Sequence, residues 1–504
     1  MERTWRTHAD VVIVGSGPAG ATYARILSEL RPGATIALFE VGPALTDPPG
    51  MHVKNILDDE ERSEAQRRSQ GPDADVTQSG AITNSSRRAR PGTFLLADGY
   101  QQEGEDGLPA AAMSSNVGGM GAHWTGACPR PGGAERPDFV EDLDELLDEA
   151  ERLLAVSKHA FDDAPFSDIV RERLSAVMDE GRPEGRRTQP MPLAVQRHPD
   201  GRTTWSGSDV VFGDVTRSNP DFTLTPEALV TRVLVEDGAV QGVTVRDMRT
   251  GDEHVVRSSV VVVAGDALRT PQLLWASGVR PAALGRYLND QPQVVDAVRL
   301  RDIPAVPEVG VDPRGTATIV KQSGVSWVPY TDEDPFHGQV MQLDASPVKL
   351  AADDEPAPGS IVGLGWFCAK DLQADDRVEF VDSATDSYGM PAMRIHYTLT
   401  ERDREAQARA SATVRRAAEA LGEPLGPQPI PLAPGASLHY QGSVRMGEVD
   451  DGTSVCDPSS EVWGVSGLYV AGNGVIPTSI ACNPTLTAVA LGIAGARSIA
   501  RKLT

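Results

Sequence analysis

Cysteine is scarce: four residues in 504, which leaves little for a disulfide framework. Cys128, Cys368, Cys456 and Cys482 form no CxxC pair, and no Cys/His cluster has the spacing of a zinc site. They read as buried thiols of a reducing compartment, and no metal is expected. Long apolar runs are also missing. Nothing approaches the ~20 residues that cross a bilayer, and the polar opening MERTWRTH is unlike a signal peptide. The expectation is a cytoplasmic protein with no membrane partner. Basic charge is in deficit, with 47 Lys and Arg against 71 Asp and Glu, a formal net charge of −24. Such a surface repels phosphate backbones and anionic lipid, so nucleic acid is excluded as a partner.

What is present is length and glycine. A chain of 504 residues is too long for one simple core, so two domains are expected. The 49 Gly and 38 Pro imply many turns. DVVIVG (10–15) reads as a buried parallel strand, 18–31 as a helix and TIALFE (35–40) as a second strand. Residues 57–90 are polar and mixed in charge, and read as a surface loop, a lid or an oligomer contact. An acidic amphipathic helix is expected over 137–155. From 221 to 247 the sequence alternates as β-hairpins do, and SSVVVVAG (258–265) is another buried strand. Strands such as GSIVGLGWFCA, with a charged helix near 400–421, suggest a second domain on an antiparallel sheet. LYVAGN (468–473) and a helix over 484–503 then return to α/β.

The fold expected is therefore an α/β Rossmann-like dinucleotide-binding domain with an inserted α+β substrate-binding domain. The first is assembled from 1–135, 216–299 and 436–504, the second from 136–215 and 300–435.

VIVGSGPAG supplies Gly15, Gly17 and Gly20 as GxGxxG between a strand and a helix. The first glycine permits the tight turn, the second lets a pyrophosphate approach the backbone, and the third lets helix and strand pack closely. The helix N-terminus offers unpaired N–H groups to the anion. Glu40 ends the second strand, 20 residues after Gly20, where a carboxylate reaches a ribose diol. It disfavours a 2′-phosphate, so NADP is not expected. VVVVAGDALRTPQLL and the C-terminal VAGN suggest further segments against the same cofactor, which an extended FAD explains better than NAD.

Five ordered motifs carry a resemblance. After GxGxxG come SNVGGMGAHWTGACP, AGDALRTPQLLWASG, GRYLNDQP, HYQGSVRMG and LYVAGNGVIPTSIACNPTLTAVALG. Together they resemble the glucose–methanol–choline (GMC) flavin oxidoreductases. Within these, GAHWTGACP and ACNPT are most similar to the pyranose oxidases and the bacterial glycoside 3-oxidases. The chain departs in Ala122, where that loop has Thr before its His. It is also shorter than the fungal pyranose oxidases and lacks their long oligomerisation arm, so a monomer or small homo-oligomer is expected.

The resemblance implies FAD and oxidation of a ring hydroxyl of a sugar or glycoside, at C3 or C2. His439 would be the base and Asn483 would hold the substrate oxygen. A proton acceptor that titrates near working pH suits His, and an amide can stabilise a developing alkoxide. Flavin contacts are expected from Gly118, Gly119, His123, Trp124, Thr125, Val230, Ala264, Gly265, Gly472, Asn473, Pro484 and Thr485. His123 matches the residue to which pyranose oxidases link their flavin; here it is either linked or packed beside the ring. Pro484 suits the first turn of the last helix, whose N-terminus would face the flavin. Gln339 and Asp344 are candidate substrate contacts, with Trp366 and Tyr440 as platforms. The electron acceptor is oxygen or a quinone. The competing readings are a GMC enzyme for a non-sugar alcohol and a non-catalytic flavin-binding protein.

Overall fold

The computed structural model describes residues 5–70, 92–304, 324–343, 356–357 and 359–503. Two sheets organise it. The first has five parallel strands in the order Leu468–Val470, Val260–Val263, Val11–Val14, Ile36–Phe39 and Phe222–Thr225. Apart from the edge strand Phe222–Thr225, these strands are apolar runs of four residues or fewer, as a sheet covered on both faces requires. The helices Pro18–Leu30 and Thr485–Lys502 lie side by side over one face, burying Tyr23, Ile26, Leu27, Val489 and Ile493 against Val11, Ile13 and Leu38. The other face packs on a three-stranded antiparallel sheet, Ala228–Glu236, Ala239–Asp247 and Glu253–Arg257, through Val230, Val243 and Val256.

One strand differs from expectation. Phe222–Thr225 does not join the hairpins that follow it; it pairs in parallel with Ile36–Phe39 and forms the edge of the main sheet. The acidic helix is shorter than its charge pattern implied, Leu143–Leu153, with Asp142 before it in a left-handed conformation. In the 57–90 stretch, Asp59–Arg68 is a helix capped by Asp58, and 71–90 lie outside the described residues.

The second large sheet is antiparallel throughout. Its order is Gly422–Pro424, Gln293–Leu300, Ile361–Cys368, Phe336–Gln342, Val325–Val328 and Gln189–Pro190, with Ile430–Pro431 also paired to Gln293–Leu300. Gln293–Leu300 pairs within this sheet, with Ile361–Cys368 on one side and Gly422–Pro424 and Ile430–Pro431 on the other. The helix Glu401–Leu421 crosses one face and buries Ala406, Ala410, Val414 and Leu421 against it. Its start is a capping box: Thr400 Oγ1 accepts from Asp403 N, and Asp403 Oδ2 accepts from Thr400 N. The four cysteines are free and buried. Among the described residues no helix is long and apolar enough to cross a membrane, and no group of His, Cys, Asp and Glu could hold a metal.

Candidate active site

One cavity is lined by residues from the glycine turn and from the C-terminal motifs. Gly15, Gly17, Glu40, Gly119, His123, Trp124, Thr125, Val230, Ala264, Gly265, Gly472, Asn473, His439, Asn483 and Thr485 all line it. Gly20, Gly118 and Pro484 support the wall from behind, and Gln339 reaches the site through Asn483.

At the turn, Gly15 has φ +98°, and a Cβ there would sit 2.4 Å from Ala264 O. A Cβ on Gly20 would sit 2.0 Å from Gly15 O, so both glycines are required by the protein's own packing. Gly17 is different. A Cβ there would meet nothing nearer than Gly118 O at 3.9 Å. The space above it is open to the cavity, where the close approach of a phosphate would need it. Glu40 is buried but already engaged. Its Oε2 accepts from Ser16 N at 3.0 Å and Ser16 Oγ at 2.6 Å, and its Oε1 from Gly42 N at 3.0 Å. These bonds aim the carboxylate along the cavity wall, while burial pushes its pKa up.

Further along, His123 is half-buried, its two ring nitrogens are buried with no hydrogen-bond partner among the described residues, and the ring presses against Gly92, where any Cβ would collide with its Nδ1. Burial pushes its pKa down to about 4, so the ring is neutral. His52 buttresses the next residue of the loop: its Nδ1 accepts from Lys54 N, which leaves Nε2 to donate to Trp124 O at 2.9 Å.

At the far end, His439 and Asn483, 44 residues apart in the chain, come together. Asn483 Nδ2 lies 3.3 Å from His439 Nε2. His439 Nδ1 lies 2.7 Å from Gln291 Oε1. Asn483 Oδ1 accepts from Gln339 Nε2 at 2.5 Å. The backbone N–H of His439 is held by Ser437 Oγ at 3.1 Å, and its ring packs on Phe367, centroids 5.5 Å apart. The loop before Asn483 is anchored by Glu135, whose Oε1 accepts from Ala481 N and Cys482 N, both at 2.9 Å. Its Oε2 accepts from Gly132 N at 2.8 Å. Glu135 is buried, and burial raises its pKa to about 7.

The last helix starts at Thr485, so Pro484 is the residue that caps it and not part of its first turn; its carbonyl accepts from Ala488 N at 2.9 Å. Trp366 is not a platform. It is fully buried on the side of the antiparallel sheet that faces the helix Glu401–Leu421. Tyr440 borders the cavity, with its hydroxyl donating to Gly435 O at 3.0 Å and accepting from Ala112 N at 2.9 Å. Asp344 lies outside the described residues. Gln291 and Glu135 were not foreseen. Gln291 stood inside a recognised motif, GRYLNDQP, but glutamine there has no chemical signature until its partners are known. Glu135 had no sequence signal.

The glycine turn and the five-stranded sheet define a dinucleotide-binding protein of Rossmann type. The chain belongs to the GMC oxidoreductase family, whose two models match residues 140–293 and 375–492. It is 66% identical to a C-glycoside 3-oxidase of Arthrobacter globiformis over 98% of this chain and 95% of that protein. It is 32% identical to the pyranose 2-oxidase of Tricholoma matsutake, over 98% of this chain and 93% of that one. A crystal structure of pyridoxine 4-oxidase from Mesorbium loti shares the fold, with a TM-score of 0.66 at 19% identity, covering 97% and 99% of the two chains. The cofactor is FAD. The cavity's lining fits it in chemistry: an open backbone turn at Gly17 where a pyrophosphate can approach, and at His123 an uncharged imidazole whose nitrogens have no partner among the described residues.

Proposed function

We propose that this enzyme oxidises the C3 hydroxyl of a glycoside or pyranose ring to a ketone, with His439 as the base, Asn483 as the oxygen-holding donor and oxygen as the final electron acceptor. Bound in the cavity, FAD supplies the acceptor for the carbinol hydride. His439 Nε2 takes the hydroxyl proton. Asn483 turns its Oδ1 to Gln339 and its Nδ2 toward His439 and the reacting oxygen, where an amide N–H stabilises negative charge as it develops. Gln339 thereby acts on the reaction through Asn483 as well as facing the substrate.

The observation that carries the sugar reading is the face of the antiparallel sheet turned toward this pair. Among the described residues, Gln293 Oε1, Trp327 Nε1 and both ring nitrogens of His337 are buried there without a hydrogen-bond partner. Their strands are in register with Gln339 and Phe367, which touch Asn483 and His439. Unpaired buried polar atoms are costly. A ring carrying several hydroxyls would pair them, whereas a simple apolar alcohol would not. The identity to a C-glycoside 3-oxidase favours carbon 3 and a glycoside. Retention of both His439 and Asn483 weighs against a non-catalytic flavin protein.

The test is anaerobic mixing of the yellow holoenzyme with C-glycosides, O-glycosides and free pyranoses, with NMR of the product. Bleaching and a C3 ketone are expected. A flavin that stays oxidised across the panel sinks the reading. We also assign His123 to the flavin's side in this cavity. Acid precipitation reads the bond: a yellow pellet means a covalent link, a yellow supernatant means packing alone.

A further inference from the structure

Gln291 is buried and makes three hydrogen bonds in two directions. Its Nε2 donates to Ile480 O at 2.6 Å and to Cys482 O at 2.8 Å. Its Oε1 faces His439 Nδ1 at 2.7 Å. The orientation of the amide follows from its partners. Two backbone carbonyls can only accept, so the group facing them has to be the NH₂. A flipped amide would set its oxygen against two others at these distances. The oxygen therefore faces the imidazole, and His439 Nδ1 has to carry the proton. In the neutral ring this leaves the lone pair on Nε2.

The same logic continues along the site. An unprotonated Nε2 needs a donor, and Asn483 offers Nδ2 at 3.3 Å. Asn483 Oδ1 then points away, and Gln339 Nε2 donates to it. The direction of every bond from Gln291 to Gln339 follows from the two carbonyls.

We propose that Gln291 is a positioning residue for the reaction: it fixes His439 in the Nδ1–H tautomer, so that the basic nitrogen is the one beside Asn483, and it ties His439 to the loop that carries Asn483. The second half follows from chain position, since Ile480 and Cys482 lead directly into Asn483. One side chain thus holds both members of the pair. Gln441 reinforces it, with Nε2 donating to Ile480 O at 3.1 Å. The proposal rests on His439 being the base.

The experiment uses holoenzyme labelled with ¹⁵N in histidine, with His439→Gln to assign the ring. Long-range ¹H–¹⁵N spectra of the resting enzyme should show His439 Nδ1 protonated and Nε2 unprotonated. A protonated Nε2 with a bare Nδ1 overturns the proposal, whatever the substrate proves to be. Gln291→Met keeps the length and removes both polar groups. It should lose the single tautomer and slow anaerobic flavin reduction by about 100-fold, a wrong-tautomer effect of the kind seen in hydrolase triads. FAD content should not change, and glycoside affinity should stay within about threefold. A Met variant that keeps the tautomer and the rate overturns the proposal. The two readings separate cleanly. A panel that never reduces the flavin sinks the glycoside function, while the tautomer of the resting ring is read without substrate.

Discussion

The antiparallel sheet has two faces built on opposite rules. Toward the helix Glu401–Leu421 it presents Val294, Val298, Val340, Leu364 and Trp366, a mainly apolar layer, although Trp366 Nε1 is also left without a hydrogen-bond partner among the described residues. Gln342 belongs to that side too, but its amide is fully used, donating to Pro165 O and Gly359 O and accepting from Ser167. Toward His439 and Asn483 the same sheet presents Gln293, Trp327, His337 and Gln339, with Gly363 and Gly365 between them. Here nitrogens and oxygens are buried unpaired, and two positions carry no side chain at all. The first face contributes stability through burial. The second withholds stability, and a site that recognises hydroxyls has to be built in that way. Strand alternation makes such a division possible, because each residue on one face leaves its neighbours free to serve the other.

Substitutions can break this contrast, and the largest effect should come where the polar face meets the chemistry. His439→Ala should slow anaerobic flavin reduction by about 10²–10⁴-fold with FAD still bound; a rate within tenfold of wild type would remove His439 as base. On the apolar face, Leu364→Ala should lower stability by about 2–5 kcal/mol, seen in denaturant melts, with KM unaltered. An equal rise in KM would mean that the two faces are not separate. Opposite it, Gln339→Leu should raise the KM for the glycoside and lower kcat together, each by about tenfold, with the melt nearly unmoved. His337→Phe sharpens the point further. It deletes two unpaired nitrogens, so it should hold or raise the melting temperature while weakening substrate binding; a clear loss of stability would show that those nitrogens have partners within the protein.

The smallest effect concerns pH. Glu135 titrates near 7 in the folded protein against an ordinary 4.5, because burial disfavours its charge. The folded state therefore holds a proton that the unfolded chain releases at lower pH. The stability this confers is full below about 4.5 and is lost as pH rises through about 7. Melting curves of wild type and Glu135→Gln, taken from pH 5 to 8, should diverge with that sign. Parallel curves would place the carboxyl elsewhere on the scale.

Sequence reasoning reached the parts of the molecule whose cause is local. The turn at Gly15 and Gly20 is dictated by backbone clashes within a few residues and one neighbouring strand, and its motif carried that information. Flanking motifs singled out His439 and Asn483, which the fold brings side by side. Trp366 was misjudged because period-2 alternation names two faces without saying which one meets the site. Phe222–Thr225 was misjudged because its partner, Ile36–Phe39, lies far back in the chain. Glu135 was invisible for a similar reason: it bonds backbone N–H groups 346 and 347 residues away, which leave no mark in sequence.

The short loop from Ile480 to Asn483 has its carbonyls taken by Gln291 and Gln441 and its amides by Glu135. A loop tied at so many points has no second conformation to offer. If Asn483 acts as proposed, it is held in place before any substrate arrives, and little of the binding energy goes into assembling it. It follows that differences in substrate range among enzymes built on this plan should be found across the cavity, on the polar face of the antiparallel sheet, where side chains can be exchanged without disturbing the loop.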